Sequence, residues 1–307
     1  MLPAGVTVFE RGWLSANNIL LQAPSGAGSG PTALVDSGYW SHSEQTLALV
    51  KGALAGRPLD CLINTHLHSD HCGGNAALQA AYPALQTWIP PGHAEQVRQW
   101  DAVALTYTPT GQTCPRFRFN ATLEAGSAHR LGGLDWEVHA APGHDPHSIL
   151  LYAPEARLLI SADALWENGF GVVFPELEGL SAFDEVAQTL DLIEKLAPLQ
   201  VIPGHGAVFT RVDEALINAR RRLDGFRGDA AKHGRYAAKV LLKFKLLEMQ
   251  QVTQSEFQTW AAGASYLATL HASHGTGQPF SAWLDGLVGD LVNSGAALIE
   301  EGRIRNI

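Results

Sequence analysis

Five short apolar runs along the chain each lead into an acidic residue or a histidine. TALVDSG (Thr32–Gly38) contains Asp36, and LDCLIN (Leu59–Asn64) empties into His66. LDWEVHAAPGH (Leu134–His144), ARLLISAD (Ala156–Asp163) and LQVIPGH (Leu199–His205) end in His144, Asp163 and His205. Runs of this length read as strands, and the half-alternation in LDWEVHA supports that assignment. Between them, SHSEQTLALVKGAL (Ser41–Leu54) and SAFDEVAQTLDLIEKL (Ser181–Leu196) space apolar residues as helices do, with Ser181 placed as an N-cap. The Gly/Ser-rich APSGAGSGP (Ala23–Pro31) reads as a hairpin loop. Strands alternating with helices predict a layered α/β fold.

The densest chemistry follows the run at Leu59–Asn64, where His66, His68, Asp70 and His71 fall within six residues. In extended backbone, residues two apart point the same way, so His66 and His68 can grip one atom. Asp70 and His71 come next, where Gly73-Gly74 permit a sharp turn, so they aim at a second point. Ligand-type side chains at the ends of several strands imply one shared site at a sheet edge. Imidazole and carboxylate donors without thiolate suit zinc, with iron or manganese as alternatives. Two such metals about 3.5–4 Å apart can clamp a carbonyl or phosphoryl oxygen, and bound water there has a pKa of roughly 7. Asp70 is placed to take part in proton transfer as the catalytic residue.

The ordered set Asp36, His66-x-His68-x-Asp70-His71, His144, Asp163 and His205 resembles the metallo-β-lactamase superfamily of hydrolases. Its order, with a helical C-terminal extension, is most similar to the glyoxalase II-like branch. The resemblance covers about the first 210 residues and implies an αββα sandwich with a dinuclear site at its rim. It further implies that His66, His68 and His144 hold one divalent metal ion. Asp70, His71 and His205 would hold the other, and Asp163 would bridge the two. Asp36 is expected to orient a ligand from behind rather than bind metal. One departure stands out: the family's common Thr-Pro-Gly or Thr-x-Gly after the third histidine is replaced by Asp145-Pro146-His147-Ser148.

Charge divides the chain. The net charge is −9, yet residues 1–210 hold 9 Lys and Arg against 20 Asp and Glu, whereas residues 211–307 hold 12 against 10. We therefore expect a catalytic domain over 1–210 and a C-terminal domain over 211–307. The latter reads as long helices from Val212 to Gln250, a capping box at Thr253 and Glu256, a helix near Phe280–Val292, and a terminal hairpin. That pattern is similar to winged-helix-like tails. The apolar positions Leu241, Leu242, Phe244, Leu246 and Leu247 require a packing partner. We expect these helices to shape the substrate pocket, with Arg220 to Arg222 and Lys243 meeting an anionic substrate tail.

Of the remaining histidines, His42, His129, His233, His271 and His274 are expected to be solvated. His93 is expected at a helix start, His139 packed or beside the site, and His147 bracing its loop. Trp166 and Phe170 are candidates for pocket wall or core. The three cysteines show no CxxC spacing; Cys61 belongs to an apolar run and Cys72 faces a turn. No basic apolar leader and no membrane-length apolar run occur, which places the protein in the cytoplasm without a membrane partner.

These features predict a metal-dependent hydrolase of ester-type carbonyls, thioester or lactone preferred, acting on a small-molecule substrate. Alternatives are a phosphodiesterase or ribonuclease, a mononuclear iron persulfide-type oxygenase, and a non-catalytic metal-bound sensor. The acidic catalytic half disfavours nucleic acid. A homodimer is left open.

Overall fold

All five apolar runs are strands in the computed structural model, which describes residues 1–24, 30–275 and 277–307. From the N-terminus, β1 (Val6–Phe9), β2 (Asn18–Leu21), β3 (Ala33–Val35), β4 (Cys61–Ile63), β5 (Gln86–Ile89) and β6 (Ala121–Thr122) form one sheet in that order. A second sheet contains β7 (Ala128–Leu131), β8 (Leu134–Ala140), β9 (Ile149–Ala153), β10 (Leu158–Ala162) and β11 (Gln200–Pro203), ordered β11-β10-β9-β8-β7. The helices of this region are α1 (Ser43–Leu54), α2 (Ser69–Cys72), α3 (Asn75–Ala81), α4 (Ala94–Gln99), α5 (Phe174–Leu177), α6 (Phe183–Leu196) and α7 (Val212–Arg227).

The period of two along each strand builds the layers. Ile19, Leu21, Val35 and Ile63 of the first sheet meet Trp136, Val138, Leu151, Ile160 and Ile202 of the second in one buried core. Their neighbours Leu20, Leu34 and Leu62 face the other way, onto Val50 and Leu54 of α1 and Leu78 of α3. On the outer face of the second sheet, the Tyr152 hydroxyl donates to the Leu196 carbonyl of α6 at 2.8 Å. The result is the expected αββα sandwich. Fully burying one such aliphatic side chain is worth about 1.5–3 kcal/mol, a gain made both between the sheets and under the helices.

One local expectation changes here. Ser181 does not cap α6, whose N-cap position is Ala182. The Glu176 carboxylate does that work, accepting from the Ala182 and Phe183 amides at 2.6 and 2.8 Å. Residues 25–29, most of the stretch read as a hairpin loop, lie outside the described residues, although β2 and β3 on either side pair antiparallel.

The described chain divides into two units. The first is Met1–Leu105 with Cys114–Leu223, and the second is Thr106–Thr113 with Asp224–Ile307, so the division runs through α7. In the second unit, α8 (Ala230–Met249), β12 (Gln251–Thr253), α9 (Gln254–Gly263), α10 (Ser265–His274) and α11 (Phe280–Asn293) precede the hairpin β13 (Ala297–Glu300) and β14 (Arg303–Asn306). β14 lies between β12 and β13 in a three-stranded sheet. The Thr253–Glu256 capping box is present at the start of α9. Leu241, Leu242, Phe244 and Leu246 are buried on α8, which packs against α10 and α11 of its own unit. His233 departs from expectation: it is 3% exposed rather than solvated, and its ring lies 4.8 Å from that of Phe226. No described helix is long and apolar enough to cross a membrane.

Candidate metal centre

Strand direction brings the ligand-type residues to one rim of the first unit. β3 and β4 are parallel neighbours, so Asp36 and the His66–His71 loop leave the first sheet on the same side. In the second sheet β8 and β10 both run antiparallel to β9, and β11 is parallel to β10. His144, Asp163 and His205 therefore leave by a single edge.

His66 and His68 stand just ahead of α2, whose N-cap is His68 in extended backbone. Their rings turn the same way, with His66 Nε2 3.1 Å from His68 Nδ1 and that nitrogen 2.9 Å from His144 Nε2. Asp70 and His71 follow on α2 and join Asp163 and His205 in a second group. Within each group the ligand atoms, one per residue, lie within 4.8 Å of one another. The expected separation into two adjacent points is thus present. Gly73 and Gly74 form the expected turn, between α2 and α3, although their backbone is right-handed and does not itself require glycine. Glycine is needed there for close approach: a Cβ on Gly73 would stand 2.6 Å from the Trp40 amide nitrogen.

Asp163 faces both groups. Its Oδ1 is 3.5 Å from His71 Nε2, while its Oδ2 is 3.4 Å from His144 Nε2 and 3.8 Å from His205 Nε2. Asp70 Oδ2 is 3.1 Å from His205 Nε2. Behind the site, Asp36 is buried with its carboxylate fully engaged: Oδ1 accepts from the Thr65 amide at 2.9 Å, and Oδ2 accepts from Thr65 Oγ1 at 2.8 Å and His71 Nδ1 at 2.7 Å. His144 Nδ1 donates to the Val172 carbonyl. With Nδ1 of His71 and His144 used as donors, their Nε2 lone pairs point inward. Among the described residues His71 Nε2 is buried and has no hydrogen-bond partner.

The electrostatics favour a cation. Burial, and then the neighbouring His71, His68 and His144, hold His66 well below the ordinary histidine range. Burial, with His144 next, pushes His68 down to about 4. Burial opposes ionisation of Asp163, but His71 and His205 outweigh it and hold the carboxyl well below its usual range. Burial likewise opposes a charged His71, yet Asp163, Asp36 and Asp70 outweigh it and raise the imidazole well above its ordinary value. Buried carboxylates that favour a protonated His71 make this a place suited to positive charge, which a bound cation could supply in place of that proton. Both groups could hold a metal ion, and their all-nitrogen-and-oxygen donor set fits zinc, iron or manganese.

Several neighbours escaped the sequence reading. The indole of Trp13, 55% exposed, stacks on His205 at 5.2 Å and 10°. Phe174 lies 4.7 Å from the His68 ring. Asp145 is buried with Oδ2 3.8 Å from His68 Nε2, on the far side of that ring from the other histidines. Only Asp145 left a trace in the sequence, as part of the unusual DPHS turn. Trp166 donates from Nε1 to Asp163 Oδ1 at 3.2 Å and meets Trp13 edge-on, whereas Phe170 is 1% exposed and belongs to the core. His147 braces its loop as expected, with its amide donating to Asp145 Oδ1 at 2.7 Å and its ring against His93.

Three of the four cations expected to meet a substrate tail are engaged elsewhere. Arg220 pairs with Asp191 and Glu194 at 2.8 and 2.7 Å. Arg222 donates to the Asn168 and Phe170 carbonyls and so braces the loop after Asp163. Lys243 donates to the Ala296 and Ile307 carbonyls and to Asn306 Oδ1.

Comparison with known proteins agrees with this geometry. The chain is 28% identical over 213 residues to a nitric oxide reductase of Moorella thermoacetica, covering 62% of this chain and 50% of that protein. It is 30% identical over 143 residues to a hydroxyacylglutathione hydrolase of Synechococcus sp., covering 46% and 49%. To a human acyl-coenzyme A thioesterase, MBLAC2, it is 25% identical over 209 residues, covering 64% and 73%. The chain thus spans about half the length of the first two of these relatives. Among solved structures, a metallo-beta-lactamase family protein of Thermus thermophilus superposes with a TM-score of 0.56 at 19% identity, covering 100% of both chains, which speaks for the fold alone. The family model of the metallo-beta-lactamase superfamily matches residues 11–205, the stretch that supplies every residue of the rim but none beyond His205, and the chain belongs to that superfamily.

Proposed function

We propose that the chain is a dinuclear metal-dependent hydrolase of ester-type carbonyls, with thioesters or lactones as preferred substrates. Asp163 supports this reading most directly, because its two oxygens face a histidine of each group. In this proposal His66, His68 and His144 hold one divalent metal ion, Asp70, His71 and His205 hold the other, and Asp163 bridges them. Zinc is the first choice for this donor set. Two such ions supply a Lewis acid for the carbonyl oxygen and a source of hydroxide near neutral pH.

The chain's own residues supply the rest. Asp36 fixes the His71 ring so that Nε2 faces inward, and the Val172 carbonyl does the same for His144. Asp70 retains 13% side-chain exposure, the most of the three acids here, and can exchange a proton with solvent or with the leaving group. Trp13 and Phe174 offer apolar surface on opposite flanks, against His205 and His68, for the acyl or leaving group. The relatives named as thioesterase and hydroxyacylglutathione hydrolase fit a thioester substrate. Three free cysteines fit a reducing compartment, so we place the protein in the cytoplasm.

Zinc-loaded protein is expected to release thiol from acyl-coenzyme A or acyl-glutathione, and a chelator is expected to abolish that release. Turnover of bis(p-nitrophenyl) phosphate with none on any thioester or lactone would replace the ester reading with a phosphodiesterase.

A further inference from the structure

Two of the three cysteines lie side by side next to the proposed metal centre. Cys72 Sγ stands 3.8 Å from Cys114 Sγ. A disulfide needs about 2.05 Å, so closure by roughly 1.8 Å would join them. Cys72 is wholly buried, whereas Cys114 is half-exposed and gives an oxidant access to the pair. Cys61 is set apart: it lies in β4, and burial, with Asp60 next, pushes its thiol up to about 11. It serves as a built-in unreactive reference.

We propose that Cys72 and Cys114 are a redox pair, dithiol when reduced and disulfide when oxidised, and that oxidation disturbs the metal centre through α2. Cys72 is the last residue of α2 and directly follows His71. Its thiol donates to the Leu67 and His68 carbonyls at 3.4 and 3.3 Å. Forming the disulfide removes that donor from the loop presenting His66 and His68, and draws the end of α2 toward Cys114. A peroxide is a sufficient oxidant. The Cys114 thiolate attacks one peroxide oxygen, the S–O bond forms, the O–O bond breaks and hydroxide leaves as water, giving a sulfenic acid. Cys72 sulfur then attacks Cys114 sulfur, the S–S bond forms, the S–O bond breaks, and the Cys72 proton leaves with the hydroxide as a second water. Two electrons pass from the two sulfurs to the peroxide.

The pairing is independent of the metal reading, while its effect on metal rests on it. Metal-free full-length protein treated with one equivalent of hydrogen peroxide, then denatured, is expected to fall from three free thiols to one, with the Cys72 and Cys114 peptides linked. Cys61→Ser should still form the link. Cys114→Ser, altering the more exposed partner, should keep both remaining thiols. Zinc competition against a chromophoric chelator should show the oxidised protein binding about 10-fold or more weakly, as for loss of a group supporting a ligand, with recovery in dithiothreitol. A Cys114 sulfinic acid beside a free Cys72 thiol, or links only between chains, would overturn the pair. A formed link with unchanged zinc affinity would overturn the coupling. If neither state binds zinc, the metal reading fails while the pair, read by thiol count, stands.

Discussion

At the scale of single residues, two acids on opposite nitrogens of the His71 ring should behave differently when changed. Asp163→Asn keeps the shape and removes the charge between the two groups. We predict loss of one metal and a drop in turnover of roughly 10²-fold or more, since an electrostatic contribution is removed. Steady-state rates beside elemental analysis check it. Asp36 lies one residue behind the metal groups, holding His71 Nδ1 and both donors of Thr65. Asp36→Ala should lower zinc affinity by about 10–100-fold while leaving stoichiometry at saturation unchanged, as read by chelator competition. Asp36 also sits at φ 57°, a left-handed conformation that Asp and Asn tolerate better than Ala. Asp36→Asn should therefore spare stability more than Asp36→Ala does. Metal-ligand types at strand ends were legible from sequence because few other roles gather His and Asp so densely. Trp13 and Phe174 were not, since a loop and a helix of 4 residues carry no periodicity and their proximity to His205 and His68 exists only in three dimensions.

Elements add what residues cannot: the angle at which each ligand enters. Strands were readable because a period of two, or a short apolar run, survives without knowledge of partners. Helix starts were less so. Ser181 matched the composition of a cap, but Glu176 reaches the same amides from α5, and a tertiary partner of that kind leaves no local signal. Gly73-Gly74 did read as the turn it is, but its backbone is right-handed, and both positions are small because neighbouring backbone approaches them. The same reasoning gives a test at the end of β11. A Cβ on Gly204 would collide with Asp163 Oδ1. Gly204→Ala should displace that carboxylate, costing about 1–3 kcal/mol of stability and weakening metal retention together, whereas Gly52→Ala on α1, with open space around it and no left-handed backbone, should leave metal retention intact. Thermal unfolding with and without zinc distinguishes the two.

Across the whole molecule, charge was the weakest guide. The basic C-terminal segment suggested a substrate tail, but Arg220, Arg222 and Lys243 are held by carboxylates and carbonyls of their own units. A count of charges cannot show which are already paired. His233 makes the same point for burial: α8 reads as cationic, yet this histidine is inside the second unit, where burial, with His274 next, pushes it down from 6.5 to about 4. Between those values the unfolded chain binds the proton and the folded chain does not, so stability is lost as pH falls from 6.5 to 4. The full loss is about 3 kcal/mol. His233→Gln, neutral throughout, should lose less over that range, so the wild-type-minus-variant difference in unfolding free energy should shift against wild type on acidification; a flat difference would refute it. The central claim is the dinuclear centre, and metal content per chain tests it most directly. Full-length protein saturated with zinc and freed of excess should hold two metals per chain by elemental analysis, falling to one in Asp163→Asn; a ceiling of one in the unaltered protein, whichever metal is supplied, would contradict it.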